Sequence, residues 1–100
     1  TTRERLDALP QVPTVIESGY KDYEAVVWFA LGTPAGTPAD VTQKIADDLR
    51  ATLAEPEVKQ KLSTAGLYPS FMGPAALGQH IQQEFSRYSR VIDEARIKLD

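Results

Sequence analysis

The sequence of 100 residues contains no cysteine, one histidine, one tryptophan and one methionine. The absence of cysteine excludes a disulfide framework, a thiolate zinc site and a cysteine nucleophile. A chain with His80 as its one histidine also offers too few of the ligands that transition metals prefer, so we expect no metal site. Nucleophilic catalysis needs a base beside the nucleophile, and neither a Gly-x-Ser-x-Gly motif nor a phosphate-binding glycine loop is present. We therefore expect no enzyme and no cofactor.

The chain also lacks an excess of positive charge and a long apolar run. Eleven Lys and Arg stand against fourteen Asp and Glu, which gives a net charge of −3 and an isoelectric point near 5.1. Nucleic-acid-binding domains usually carry a basic patch and an isoelectric point above about 9, so we expect no nucleic-acid partner. The longest apolar run, residues 25–31, is far shorter than the ~18 residues of a membrane span.

Residues 1–22 predict an extended loop followed by one short helical turn. Thr14-x-x-Glu17 has the spacing of a capping box, and Gly19 is placed to end the turn. The free backbone amides of such a turn can receive a carboxylate, although Glu17 can also occupy them itself. Thr14 and Glu17 are therefore candidate ligand-binding residues. Arg3 and Arg5 could pair with an anion, but near a chain start arginines are more often solvated.

Residues 23–31 predict a strand that is apolar on both faces, which is typical of a strand inside a sheet covered by helices. Trp28 in this strand favours a core position, with the lining of a cleft as the alternative. The sequence offers only two short further strand candidates, residues 67–71 and 97–99. An apolar edge without neighbours invites association. We therefore expect the isolated chain to self-associate through residues 26–31, from Val26 to Leu31.

Three helices are predicted in the remainder. Thr37 as the cap with Pro38 in the first turn begins the first helix, which ends at Glu55-Pro56. Pro56 then opens a second helix that stops at Gly66, and Pro74 opens the longest one, which runs to about Ala95. The apolar stripe of the longest helix consists of Leu77, Ile81, Phe85, Tyr88 and Ile92. Three helices with one unpaired strand, and a start at Thr1 without a methionine or signal peptide, favour a piece of a larger protein.

Several short motifs follow one another in a recognisable order over essentially the whole chain. They are Leu-Pro-x-Val-Pro-Thr-Val-x-Glu-Ser-Gly at residues 9–19, Trp28, Pro-Ala-Gly-Thr-Pro at 34–38, Leu-Ala-Glu-Pro-Glu-Val at 53–58, Gly66 and Ile-Lys-Leu at 97–99. Together they resemble the solute receptors of tripartite tricarboxylate transporters, also called Bug-type or TctC-like extracytoplasmic receptors. The sequence departs from the family pattern at Arg96, where a glycine is usual.

The resemblance implies an α/β fold of two lobes, the periplasmic-binding-protein fold. The chain is then its mostly helical C-terminal part, with three main helices and one central strand. Residues 1–22 are implied to end the second lobe, residues 23–36 to form the hinge-crossing strand and its loop, and residues 37–100 to be the helical part of the first lobe.

The resemblance also implies a function. The complete protein is expected to be a periplasmic receptor that binds small carboxylate metabolites between its lobes and delivers them to the membrane permease subunits of the transporter. Thr14, Glu17 and Trp28 are the residues of this chain that we expect to contact the ligand. The alternative from another class is a free-standing helical module that binds a protein partner.

Overall fold

The computed structural model describes residues 1–98 and divides the chain into two units. The first unit is Thr1–Gly32 and the second is Thr33–Asp100. The first unit is made of turns and irregular backbone, whereas the second contains three helices. The assignment of residues 1–22, 23–36 and 37–100 to receptor lobes stays a prediction.

In the first unit, the start of the chain is held against residues 24 and 25. The Ala25 amide donates to the Thr1 carbonyl oxygen at 3.2 Å, and Arg3 forms an ion pair with Glu24 at 2.7 Å.

The predicted turn after Pro13 is present: the Ser18 amide donates to the Thr14 carbonyl oxygen at 3.1 Å. It ends in a Schellman motif, with Tyr20 N bonded to Val15 O at 3.3 Å and Gly19 N to Ile16 O at 3.0 Å. Gly19 takes a φ of +103°, which explains the glycine at this position.

The strand predicted over residues 23–31 is absent, since the structure assigns no strand among residues 1–98. The composition of this segment favours a strand, but a strand exists only where a neighbour completes its hydrogen-bond ladder. The second candidate, residues 67–71, is also irregular. Of the third candidate, residues 97–99, the last residue lies outside the described part of the chain. The prediction of three helices is confirmed, and the prediction of a central strand is wrong for this chain.

The second unit contains α1 at Ala39–Ala54, α2 at Pro56–Thr64 and α3 at Pro74–Ala95. Prolines at the first positions of α2 and α3 suit the helix start, because that position needs no amide donor. Glu55, held extended by the proline after it, separates α1 from α2.

The predicted Thr37 cap at the start of α1 is wrong. Pro38 is the cap residue, and the Thr37 hydroxyl instead donates to the Pro34 carbonyl oxygen at 2.8 Å, closing a turn in which Gly36 has a φ of +83°.

The helices α2 and α3 end in the same way, with one residue in the left-handed region. Gly66, at φ +75°, follows α2, and the Leu67 amide then donates to the Leu62 carbonyl oxygen at 2.9 Å. Arg96, at φ +52°, takes the equivalent place after α3, with Ile97 N bonded to Ile92 O at 3.0 Å. The second end therefore has the geometry of a glycine position occupied by an arginine.

Helix α1 is the centre of the second unit, since it contacts both α2 and α3. The Arg50 guanidinium of α1 also lies over the ring of Phe71, 5.9 Å from its centroid, and so holds the connection before α3. No apolar side chain among the described residues is fully buried. On α3 the half-buried residues include Leu77, His80, Glu84 and Arg87, whereas the apolar stripe from Ile81 onward is exposed, with Phe85 at 71%.

Candidate functional site

The candidate site begins with a capping box that links Thr14 and Glu17 in both directions. The Thr14 amide donates to Glu17 Oε2 at 2.7 Å, and the Glu17 amide donates to Thr14 Oγ1 at 3.1 Å. Thr14 is the one buried residue among those described, with 5% of its surface exposed. A polar side chain is buried at low cost when its hydrogen bonds are made inside the protein. The predicted capping box is thus confirmed.

The guanidinium of Arg5 also binds the carboxylate of Glu17. Its Nε lies 3.0 Å from both Glu17 oxygens, and its Nη2 lies 2.8 Å from Oε1. A third group of the same guanidinium, Nη1, donates to the Pro10 carbonyl oxygen at 2.9 Å. Planar guanidinium and carboxylate groups match in this forked geometry, which fixes orientation as well as distance. We call Arg5, Thr14 and Glu17 the clasp.

The clasp changes the acidity of Glu17. The hydrogen bonds from Arg5, followed by that from the Thr14 amide, lower the pKa of Glu17 to about 2. The hydrogen bond and charge of Glu17 in turn raise the pKa of Arg5 above its ordinary value. Both side chains remain 43% exposed, so solvent screens their attraction. Glu17 therefore stays ionised at physiological pH and is unsuited to proton transfer.

The geometry also separates the roles that the turn could have toward a ligand. The Glu17 carboxylate is occupied by Arg5 and the Thr14 amide. By contrast, the amides of Val15 and Ile16, in the first turn, donate no hydrogen bond within residues 1–98. Free amides at the start of a helical turn can bind an anion by donating hydrogen bonds to it. Ligand capture at this place would therefore use the backbone, with the clasp fixing its conformation.

Trp28, the third predicted site residue, lies in the same unit as the clasp and is 39% exposed. The structure thus joins two of the three predicted residues, Thr14 and Glu17, by direct hydrogen bonds. It adds Arg5, which the sequence marks only as an arginine near the chain start. No short sequence motif predicts the pairing of Arg5 with Glu17, twelve residues later, whereas the spacing of Thr14 and Glu17 predicts the capping box. Arg3 is likewise paired, with Glu24.

Within residues 1–98, no group of three or more His, Asp or Glu side chains is placed to hold a metal ion. No helix in this range is long and apolar enough to cross a membrane.

Comparison with known proteins identifies the family. Residues 1–97 match the sequence profile of the tripartite tricarboxylate transporter family receptors. The chain belongs to this family. The predicted resemblance is confirmed, and the family is one of transport receptors. No solved structure matches the chain.

Curated relatives support the same family. A protein of Agrobacterium vitis, called UPF0065 protein in the TAR-I ttuE-ttuC' intergenic region, is 41% identical over 98 residues, or 95% of this chain and 28% of the relative. Protein BugT of Bordetella pertussis is 28% identical over 96 residues, or 96% of this chain and 29% of BugT. A UPF0065 protein of Pseudomonas sp. is 29% identical over 97% of this chain and 29% of its own length. The chain thus spans less than a third of these relatives.

Proposed function

We propose that this chain is the C-terminal part of an extracytoplasmic receptor that binds small carboxylate metabolites and feeds a tripartite tricarboxylate-type transporter. The observation that carries the proposal is the match of residues 1–97 to the receptor family. The proposal places the complete protein in the periplasm, with the membrane permease subunits as its partners. Residues 1–22 and 23–36 then belong to the second lobe and the hinge, and residues 37–100 coat the first lobe.

Thr14, Glu17 and Trp28 are proposed as this chain's contribution to the ligand site. Thr14 and Glu17 hold the turn, and the amides of Val15 and Ile16, which donate no hydrogen bond within residues 1–98, are proposed to bind the anion. Neutralisation of Glu17 by Arg5 supports this role, because an unpaired carboxylate would repel a carboxylate ligand. The indole of Trp28, which is 39% exposed, supplies an apolar wall of the kind common in ligand clefts. No catalytic step is proposed.

Isothermal titration of the complete gene product tests the proposal. The panel contains mono-, di- and tricarboxylates, each paired with its neutral amide as a matched control. We expect one carboxylate to bind while its amide does not, and the isolated 100-residue chain to bind neither, because a cleft site needs both lobes. Failure of every carboxylate to bind the complete product, or equal binding by the isolated chain, would contradict the proposal.

Substitutions in the complete product test the site residues. We expect Thr14→Ala and Trp28→Leu each to weaken carboxylate binding by about tenfold, which is ~1.4 kcal/mol. Thr42→Ala, in the first turns of α1 and outside the proposed site, is the matched control and should leave binding unchanged. If Thr14→Ala and Trp28→Leu both bind the carboxylate like the parent, the receptor function stands and the assignment of these two residues is wrong.

The exposed stripe of α3 favours a second candidate function, that of a free-standing helical interaction module. Ile81, Phe85, Tyr88 and Ile92 expose between 43% and 71% of their surfaces along one helix. An amphipathic helix of this kind can enter the groove of a partner. The length of the gene discriminates: a reading frame of about 100 residues supports the module, and one near the length of the relatives supports the receptor.

A further inference from the structure

We draw no further inference here: the strongest candidate, the exposed apolar stripe of α3 formed by Ile81, Phe85, Tyr88 and Ile92, carries nothing beyond the second candidate function above, because nothing in the described part of the chain shows what covers it.

Discussion

Glu17 shows how one side chain can organise a loop that has no regular secondary structure. Its carboxylate accepts hydrogen bonds from Arg5 and from the Thr14 amide, so three separated points of the chain meet at one group. Thr14 is buried with its polar atoms hydrogen-bonded, which keeps the cost of burying them low. The clasp therefore depends on the ionised state of Glu17, and this dependence has a measurable consequence.

The clasp should resist moderate acid. Because the folded pKa of Glu17, about 2, lies below the ordinary 4.5, its contribution is fully present above about pH 4.5 and is lost as the pH falls through about 2. We expect ¹³C NMR to show the Glu17 carboxyl titrating near 2 in the folded chain. Arg5→Gln should raise this pKa toward the ordinary value, while Arg3→Gln, which removes the pair with Glu24, should not. A Glu17 pKa unaffected by Arg5→Gln would contradict the assigned cause.

Arg96 occupies the left-handed position after α3, where a side chain with a Cβ is strained. We expect Arg96→Gly to raise the free energy of unfolding by about 0.5 kcal/mol, the relief of strain being partly offset by loss of a positive charge near the helix end. Arg90→Gly, the same substitution inside α3, should lower it by ~1 kcal/mol. Urea unfolding followed at 222 nm measures both. Destabilisation by both variants would show that Arg96 is not strained.

At the scale of elements, helices were far more predictable from sequence than the strand. Pro56, Gly66 and Pro74 act on the backbone locally, so the limits that they predict for α2 and α3 agree with the structure. A strand is decided by its neighbour, and for residues 23–31 composition alone indicated the type of element without supplying the partner. The Thr37 cap failed for a related reason, since the Pro34 carbonyl oxygen competes for its hydroxyl.

Replacement of Gly66 and of Gly78 by alanine should change the free energy of unfolding in opposite directions. Gly66 ends α2 at φ +75°, whereas Gly78 lies inside α3, and at neither position would a Cβ meet another atom within 4 Å. Because an added Cβ would clash at neither position, the backbone conformation decides whether alanine lowers or raises the free energy of unfolding. We expect Gly66→Ala to lower the free energy of unfolding by ~1 kcal/mol and Gly78→Ala to raise it by about 0.5–1 kcal/mol. Chemical unfolding by circular dichroism measures both, and changes of the same sign would refute the argument.

At the scale of the whole molecule, the main feature is that no described apolar side chain is fully buried. The heat capacity change of unfolding comes mainly from newly exposed apolar surface. We therefore expect calorimetry of the 100-residue chain to give a heat capacity change below the usual ~12 cal/mol/K per residue. A value of that size or larger would show that the chain buries a core of ordinary extent.

The candidate site was predictable only in part. Thr14 and Glu17 follow a local spacing rule, so their contact could be expected from the sequence. The pairing of Arg5 with Glu17, and the carbonyl of Pro10 that helps to orient it, depend on how the loop closes. The exposure of Phe85 likewise could not be expected, because the stripe pattern of α3 does not tell which face meets α1.

The exposed apolar stretch around Phe29 also determines where the chain is open to hydrolysis. Proteases bind their substrates as extended backbone, and they need peptide groups that are not already engaged. Trypsin finds no Lys or Arg between Lys21 and Lys44, but chymotrypsin finds Trp28, Phe29 and Leu31 exposed together. Brief digestion with chymotrypsin should therefore separate the clasp from the three helices.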